Sequence, residues 1–251
     1  ARRPFTAERS QTVGKKTMTL GLLIPVFNDV PYLPELLARV AAVWQGRGER
    51  LVVCVVDDGS RPPLGELSEA RLEMVRLHHP ENRGKGAALR TGFTYFLDHS
   101  DANAVITMDA DLQHLPEKLP AFAETFAAGA GDLLIGYRRR QPGVMPFHRI
   151  LSNSLTSLTI SLMVGQLVRD SQCGFRLYSR KVLQEVRHQE DRFHFESEFV
   201  IRAGWRGFKI GHVAVPTIYN GAPSAIRNWP DTLNFIEVIT RLARERISGH
   251  V

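Results

Sequence analysis

The chain has 251 residues, of which 43% are hydrophobic and 23% charged, and a formal net charge of +6. That composition is ordinary for a globular protein and allows a sizeable core, in one large α/β domain or two small ones. Two cysteines, Cys54 and Cys173, exclude a disulfide scaffold and fit a reducing compartment, while the positive charge admits nucleic acid, anionic lipid or phosphorylated substrates as partners without choosing among them.

Residues 1–17 are polar and basic (Arg2, Arg3, Arg9, Lys15, Lys16), lack the apolar run of a signal peptide and read as a mobile tail. Residues 20–26 are a short apolar run, a first strand, with Pro25 expected near its end because proline cannot donate to an interior ladder. Residues 31–44 place Leu33, Leu36, Leu37, Val40, Ala41 and Val43 at helical spacing. Residues 51–56 are wholly apolar, as expected of a strand covered on both faces, and 74–77 form a third, short strand. A helix over 86–96 follows a glycine turn, then a strand at 104–108, a helix at 116–128 and a strand at 132–135. Such alternation predicts a mostly parallel sheet with right-handed crossovers.

The second half is less regular. Residues 149–166 read as a helix with Leu151, Leu155, Leu158 and Leu162 on one stripe. A polar segment at 170–176 precedes helices near 180–186 and 195–206 and a strand at 210–215. A loop at 218–229 leads to an amphipathic helix over 231–247, with Leu233, Ile236, Ile239 or Thr240, Leu242 and Ile247 on one side and Arg241, Arg244 and Arg246 elsewhere; packing on the core is its default reading and lying on an anionic membrane the alternative. No stretch of about 18 apolar residues exists, so no transmembrane helix is expected. The reading is one domain over 18–230, preceded by the tail and followed by a C-terminal helix at 231–251.

The most informative segment is Met108-Asp109-Ala110-Asp111-Leu112-Gln113-His114. On an extended chain residues two apart face the same way, so Asp109, Asp111 and Gln113 are expected on one side. Hard oxygen ligands there suit Mg²⁺ or Mn²⁺, which in turn suit a diphosphate. A lone acid pair after a strand is more often just a polar turn. Here a second acidic strand end, Val55-Val56-Asp57-Asp58-Gly59-Ser60, lies upstream. In parallel α/β sheets ligands bind beyond the carboxyl ends of strands, where Asn28, Asp57, Asp58, Asp109, Asp111 and Arg138 all fall. Together they imply one crevice that binds an anion through a metal. Lys85, between two glycines, lacks the full Walker pattern and reads as a surface turn within reach of a phosphate. His78-His79 reads as a solvated loop pair more than a zinc site, Glu196 and Glu198 as the start of a half-buried helix before either is read as entering the site, and Gly174-Phe175 as a tight turn.

These residues resemble the inverting family 2 glycosyltransferases of GT-A fold, and more narrowly the dolichyl-phosphate mannose synthase and bacterial polyprenyl-phosphate glycosyltransferase group. The resemblance rests on Ile24-Pro-Val-Phe-Asn28, Val55-Val-Asp-Asp-Gly-Ser60, Asn82-Arg-Gly-Lys-Gly86, Asp109-Ala-Asp-Leu-Gln-His114, Gly136-Tyr-Arg138, Pro146-Phe-His-Arg149 and residues 170–176. It implies a Rossmann-like, mostly parallel sheet flanked by helices. It implies that Pro25, Phe27, Asn28, Asp57 and Asp58 line the base and ribose pocket of a nucleotide-diphosphate sugar. Asp109, Asp111 and Gln113 would hold the metal, with Ala110 and Lys85 also at the donor. Arg138 and Arg149 match positions that bind acceptor or donor phosphate, and Ser224 and Arg227 a loop that closes over the phosphates. That loop lacks the Gly-Glu-Ser-Lys pattern of mannose synthases and looks more like the bacterial transferases, which leaves guanine or uracil, and the sugar, open.

The expected activity is therefore metal-dependent sugar transfer from a GDP- or UDP-sugar to a polyprenyl phosphate, by a protein lying peripherally on the cytoplasmic face of a membrane. A phosphate acceptor is already a nucleophile at neutral pH and needs no strong base. Asp170 could orient the acceptor or hold an arginine, and as a base for a hydroxyl acceptor it ranks below a structural cap on the following turn. The alternatives are transfer to a glycan or glycolipid hydroxyl and a non-catalytic nucleotide-sugar-binding protein. No basic stripe interleaved with aromatics points to nucleic acid.

Overall fold

A computed structural model describes residues 17–67, 69–139, 147–186, 195–218 and 228–248. Seven strands form one sheet: β1 (Thr19–Val26), β2 (Arg50–Asp57), β3 (Glu73–His78), β4 (Ala104–Thr107), β5 (Leu133–Arg138), β6 (Arg176–Ser179) and β7 (Ile210–Val215). Their spatial order is β3-β2-β1-β4-β6-β5-β7. All neighbours run parallel except β6, which is antiparallel to both β4 and β5. The helices are α1 (Leu33–Trp44), α2 (Lys85–His99), α3 (Leu119–Ala127), α4 (Phe147–Val164), α5 (Arg180–Glu185), α6 (Phe195–Trp205) and α7 (Asn228–Ile247).

The alternating elements of the first half fall where their apolar patterns predict. β2 is buried from Leu51 onward, and α1 turns Leu33, Leu36, Leu37, Val40 and Trp44 inward. Pro25 falls beyond the last β1–β4 pair, Leu23 with Thr107, so its missing N–H costs that ladder nothing. β6 departs from expectation. Residues 170–176 read as one polar segment, yet Arg176 opens a central strand that is buried throughout and joins the two halves of the sheet. Because β6 is antiparallel, its first residue lies at the same edge as the carboxyl ends of β4 and β5.

α4 is inverted. Its inward face carries Asn153, Ser157 and Ile160, while Phe147, Leu151, Leu155, Leu158 and Leu162 are 56–78% exposed. The hydroxyls on that side are used: the buried Ser157 Oγ accepts the Ser171 N–H at 3.0 Å, and the half-buried Ser161 Oγ that of Val168 at 2.9 Å. α7 docks on α6 through Val238 and Leu242, both buried, whereas Ile236 and Ile247 of the predicted apolar side stay exposed. An ion-pair network fixes the contact, with Arg202 2.6 Å from both Glu198 and Glu245. α7 also begins at Asn228, inside the segment expected to be a loop.

Candidate active site

The carboxyl-terminal edge of the sheet gathers the polar groups. Phe27 is 44% exposed after β1, and Asn28 follows with φ 63°. Asn28 clamps the next loop: its N–H donates to Ser60 Oγ at 3.0 Å, and its Oδ1 accepts the Arg61 N–H at 2.9 Å. Asp57 accepts the backbone N–H groups of Ser60 and Leu64, and Asp58 those of Arg83 and Gly84. Both carboxylates are buried and are taken up by the protein's own groups, so they shape the walls beside Pro25 and Phe27. Gly59 is required there: at φ 75°, a Cβ would come within 2.4 Å of the Glu81 backbone.

Of His78 and His79, read as a solvated loop pair, only His78 is exposed. His78 closes β3 with Nδ1 3.3 Å from Asp57 Oδ2. His79 is buried, bridging Asp58 Oδ1 at 2.6 Å and Thr91 Oγ1 at 2.9 Å. Their partners lie in distant parts of the chain and leave no local signature.

The segment after β4 turns instead of running extended. Leu112 adopts φ 62°, and the Gln113 N–H donates to Asp111 Oδ1 at 2.9 Å. Asp109, Asp111 and Gln113 therefore sit on a turn and not on the extended chain that would alternate them onto one side. The same turn brings back His114, whose Nδ1 accepts the Asp109 N–H at 3.0 Å and whose ring stacks on Phe175 at 5.1 Å. Burial, with the Lys85 and Arg138 charges, holds the His114 imidazole below its ordinary value, which suits an Nδ1 acceptor.

Lys85 is not on a surface turn. It is the first residue of α2, and its Nζ lies 2.6 Å from Asp109 Oδ1 and 3.1 Å from Glu196 Oε1. Burial alone would raise the Asp109 carboxyl, but the Lys85 ammonium, with the His114 and Arg138 charges, outweighs it and brings it down to about 2. Glu196, expected at a half-buried helix start, enters the site from α6. Gly174 makes room for the trio, since a Cβ there would meet Lys85 Nζ at 2.7 Å, Glu196 Oε1 at 3.0 Å and Asp109 Oδ2 at 3.1 Å.

Asp111 and Asp29 are both pushed above the usual carboxylate value, by burial first and then by the Asp109 charge. Three carboxylates thus crowd one crevice. No group of three His, Cys, Asp or Glu side chains among the described residues closes into a metal cage. That donor set fits a divalent cation of the Mg²⁺ type, which is commonly held by one or two carboxylates together with substrate phosphates.

Opposite these acids, Arg138 at the end of β5 is bound by Asp170. Asn153 of α4 also donates to Asp170, at 2.8 Å. Burial would raise the Asp170 carboxyl, but the Arg138 bonds and charge hold it below the usual range. Every oxygen of Asp170 is occupied, so it holds an arginine and is poorly placed to act as a base. Arg149 lies half-buried in the first turn of α4. Ser224 and Arg227 lie outside the described residues. Arg176, which carried no expectation, is fully buried and donates to the carbonyls of Ser171, Cys173 and Glu196, all at 2.7 Å. It ties the 170–176 loop to the start of α6.

Residues 22–187 match the family described as glycosyl transferase family 2. An uncharacterized protein of Methanocaldococcus jannaschii is 31% identical over 79% of this chain and 81% of its own length. The undecaprenyl-phosphate 4-deoxy-4-formamido-L-arabinose transferase of Pseudomonas paraeruginosa is 32% identical over 70% of this chain and 51% of its own, so the chain spans about half of that relative. In fold, the chain is similar to glucosyl-3-phosphoglycerate synthase of Mycobacterium tuberculosis with bound UDP (TM-score 0.62, 18% identity, 95% of this chain and 85% of the other). The same enzyme with Mn²⁺, UDP and glucosyl-3-phosphoglycerate gives a TM-score of 0.60 at 18% identity, over 90% of this chain and 78% of the other.

Proposed function

The chain belongs to glycosyl transferase family 2, and from that footing we propose that it transfers a sugar from a nucleotide diphosphate, with Mg²⁺ or Mn²⁺, to a polyprenyl phosphate. The observation that carries the acceptor is α4. Its buried face is tied through Asn153 to the Asp170–Arg138 pair, and its opposite face exposes a row of leucines starting at Phe147. A cationic anchor for a phosphate thus adjoins an apolar track for the lipid and the membrane surface it sits in. Each such side chain leaving water contributes about 1.5–3 kcal/mol. The named function of the Pseudomonas relative points to the same acceptor class.

In this reading Pro25, Phe27 and Asn28 border the nucleoside, with Asp57 and Asp58 fixing the walls from behind. Asp109 and Asp111 hold the metal and Gln113 flanks it. When bound, the metal acts as a Lewis acid on the diphosphate leaving group. Arg138 and Arg149 supply fixed positive charge where the acceptor phosphate approaches. Asp170 keeps Arg138 aimed, and the acceptor phosphate needs no base. No helix among the described residues is long and apolar enough to cross a membrane, and the reading places the protein peripherally on the cytoplasmic face.

The test is to incubate the protein with Mn²⁺ or Mg²⁺, a short polyprenyl phosphate and a panel of UDP- and GDP-sugars, and to search for the lipid-linked sugar by mass spectrometry. The expected product vanishes with EDTA and in Asp111→Ala. Donor hydrolysis without a lipid product would retain the sugar transferase and overturn the acceptor.

A further inference from the structure

Three elements deliver one ammonium and two carboxylates to a single point: Lys85 from α2, Asp109 from the end of β4 and Glu196 from α6. The two acids are not equivalent. Asp109 Oδ1 is in close contact with Nζ at 2.6 Å. Glu196 Oε1 is within ion-pair range at 3.1 Å but finds no aligned hydrogen bond, although the side chain is only 10% exposed. A buried carboxylate oxygen left in that state is costly, and the Lys85 ammonium lies within ion-pair range of it. Glu196 is also held in place. Arg176, itself fully buried, donates to the Glu196 carbonyl at 2.7 Å. Gly174 keeps the space between the three side chains open.

Asp109 is therefore claimed twice. Lys85 sits on Oδ1 of the carboxylate on which a divalent cation would rest, and two cations that close repel each other. The structure already holds a second carboxylate within ion-pair range of the ammonium, Glu196 at 3.1 Å. We propose that Glu196 is a positioning residue for metal loading: it takes Lys85 over as the cation arrives on Asp109, so that the ammonium changes partner while staying charged and buried. Glu196 touches neither donor nor acceptor in this role. It sets how readily Asp109 becomes available. The proposal rests on the reading of the site as metal-dependent.

The experiment is Mn²⁺ binding to the full chain, read as loss of the free Mn²⁺ paramagnetic resonance signal, with and without UDP. Four proteins are compared: the wild type, Glu196→Gln, Lys85→Met and the double variant, each with a thermal melt. In E196Q the lysine has only Asp109 to rest on, and the Mn²⁺ dissociation constant rises by about tenfold. In K85M the competitor is gone and the constant falls. In the double variant it matches K85M, because Glu196 matters only through the lysine. A packing role for Glu196 would not produce opposite signs or that loss of effect. If E196Q fails to fold, Glu196→Asp replaces it in the same cycle, with a smaller rise expected. An unchanged constant in the glutamate variant, or an equal rise with and without Lys85, overturns the exchange and leaves metal dependence standing. A wild type that binds no Mn²⁺ even with UDP overturns both.

Discussion

Asp170 accepts three hydrogen bonds from Arg138: the backbone N–H at 3.2 Å and Nε at 2.8 Å on one oxygen, and a terminal nitrogen at 3.0 Å on the other. The acid comes from the loop after α4 and the base from the end of β5, so the pair fixes both the direction of the guanidinium and the seat of α4. Replacing Asp170 with asparagine keeps the shape and removes the charge. Breaking one half of a pair this buried costs about 3 kcal/mol. Asp170→Asn is expected to lose that much in urea unfolding and to raise KM for the phosphate acceptor more than for the donor. Equal KM values for wild type and variant would show that Arg138 does not meet the acceptor. The pH dependence has a definite sign. The folded carboxyl lies below its ordinary 3.8, so its contribution is complete above that value and is lost as pH falls through the folded value.

The leucine row of α4 is exposed, so cutting it back leaves the core intact. Leu155→Ser with Leu158→Ser is expected to melt within a few degrees of the wild type. Cosedimentation with vesicles containing anionic lipid is expected to drop sharply in the double variant. Undiminished sedimentation would mean that a different face meets the membrane.

His212 gives a second pH dependence, of a different origin. Burial, then the Arg169 charge, lowers its imidazole from 6.5 to about 4, and its Nε2 accepts the Arg169 N–H at 3.2 Å. Between those two values the unfolded chain binds a proton that the folded one refuses. Stability is therefore full above 6.5 and declines as pH drops toward about 4. His212→Gln keeps an acceptor and removes the titration. Its urea midpoint should fall less than the wild type's between pH 7 and pH 4.5, and parallel slopes would refute the assignment.

Both cysteines are buried, and burial pushes each thiol up to about 12. Neither should react with a disulfide reagent at neutral pH in the native protein, and both should react once it is unfolded. A fast-reacting thiol in the native state would mean that Cys54 or Cys173 is reached by local opening.

The strands β1, β2 and β4 are legible in the sequence because each is a continuous apolar run bounded by turn residues. Their acidic ends mark the crevice for the same reason. What escapes is whatever depends on partners far along the chain. Lys85 is read as a surface residue because nothing nearby announces Glu196, which α6 brings to it. His79 is read as solvated because Asp58 and Thr91 lie in other segments. β6 is only four residues long and begins with an arginine, so neither period nor length identifies it. The turn at Leu112 defeats a correct rule about extended chains, since leucine rarely adopts that backbone shape. The leucine stripe of α4 is visible as a stripe, but its direction is not. Only the polar contacts of Asn153 and Ser157 show that the helix turns its hydroxyls inward.

The placement of β6 between β4 and β5 has a consequence for how the chain assembles. Strands β1 to β4 can pair among themselves as soon as they emerge, but the outer edge of β4 has no neighbour until residues 176–179 arrive. Until then the nascent chain carries an open, apolar strand edge, the kind that recruits other chains. A fragment ending before Arg176 would keep much of the acidic crevice and still be expected to aggregate. The late four-residue strand acts as a clasp, and the arginine that opens it also secures α6.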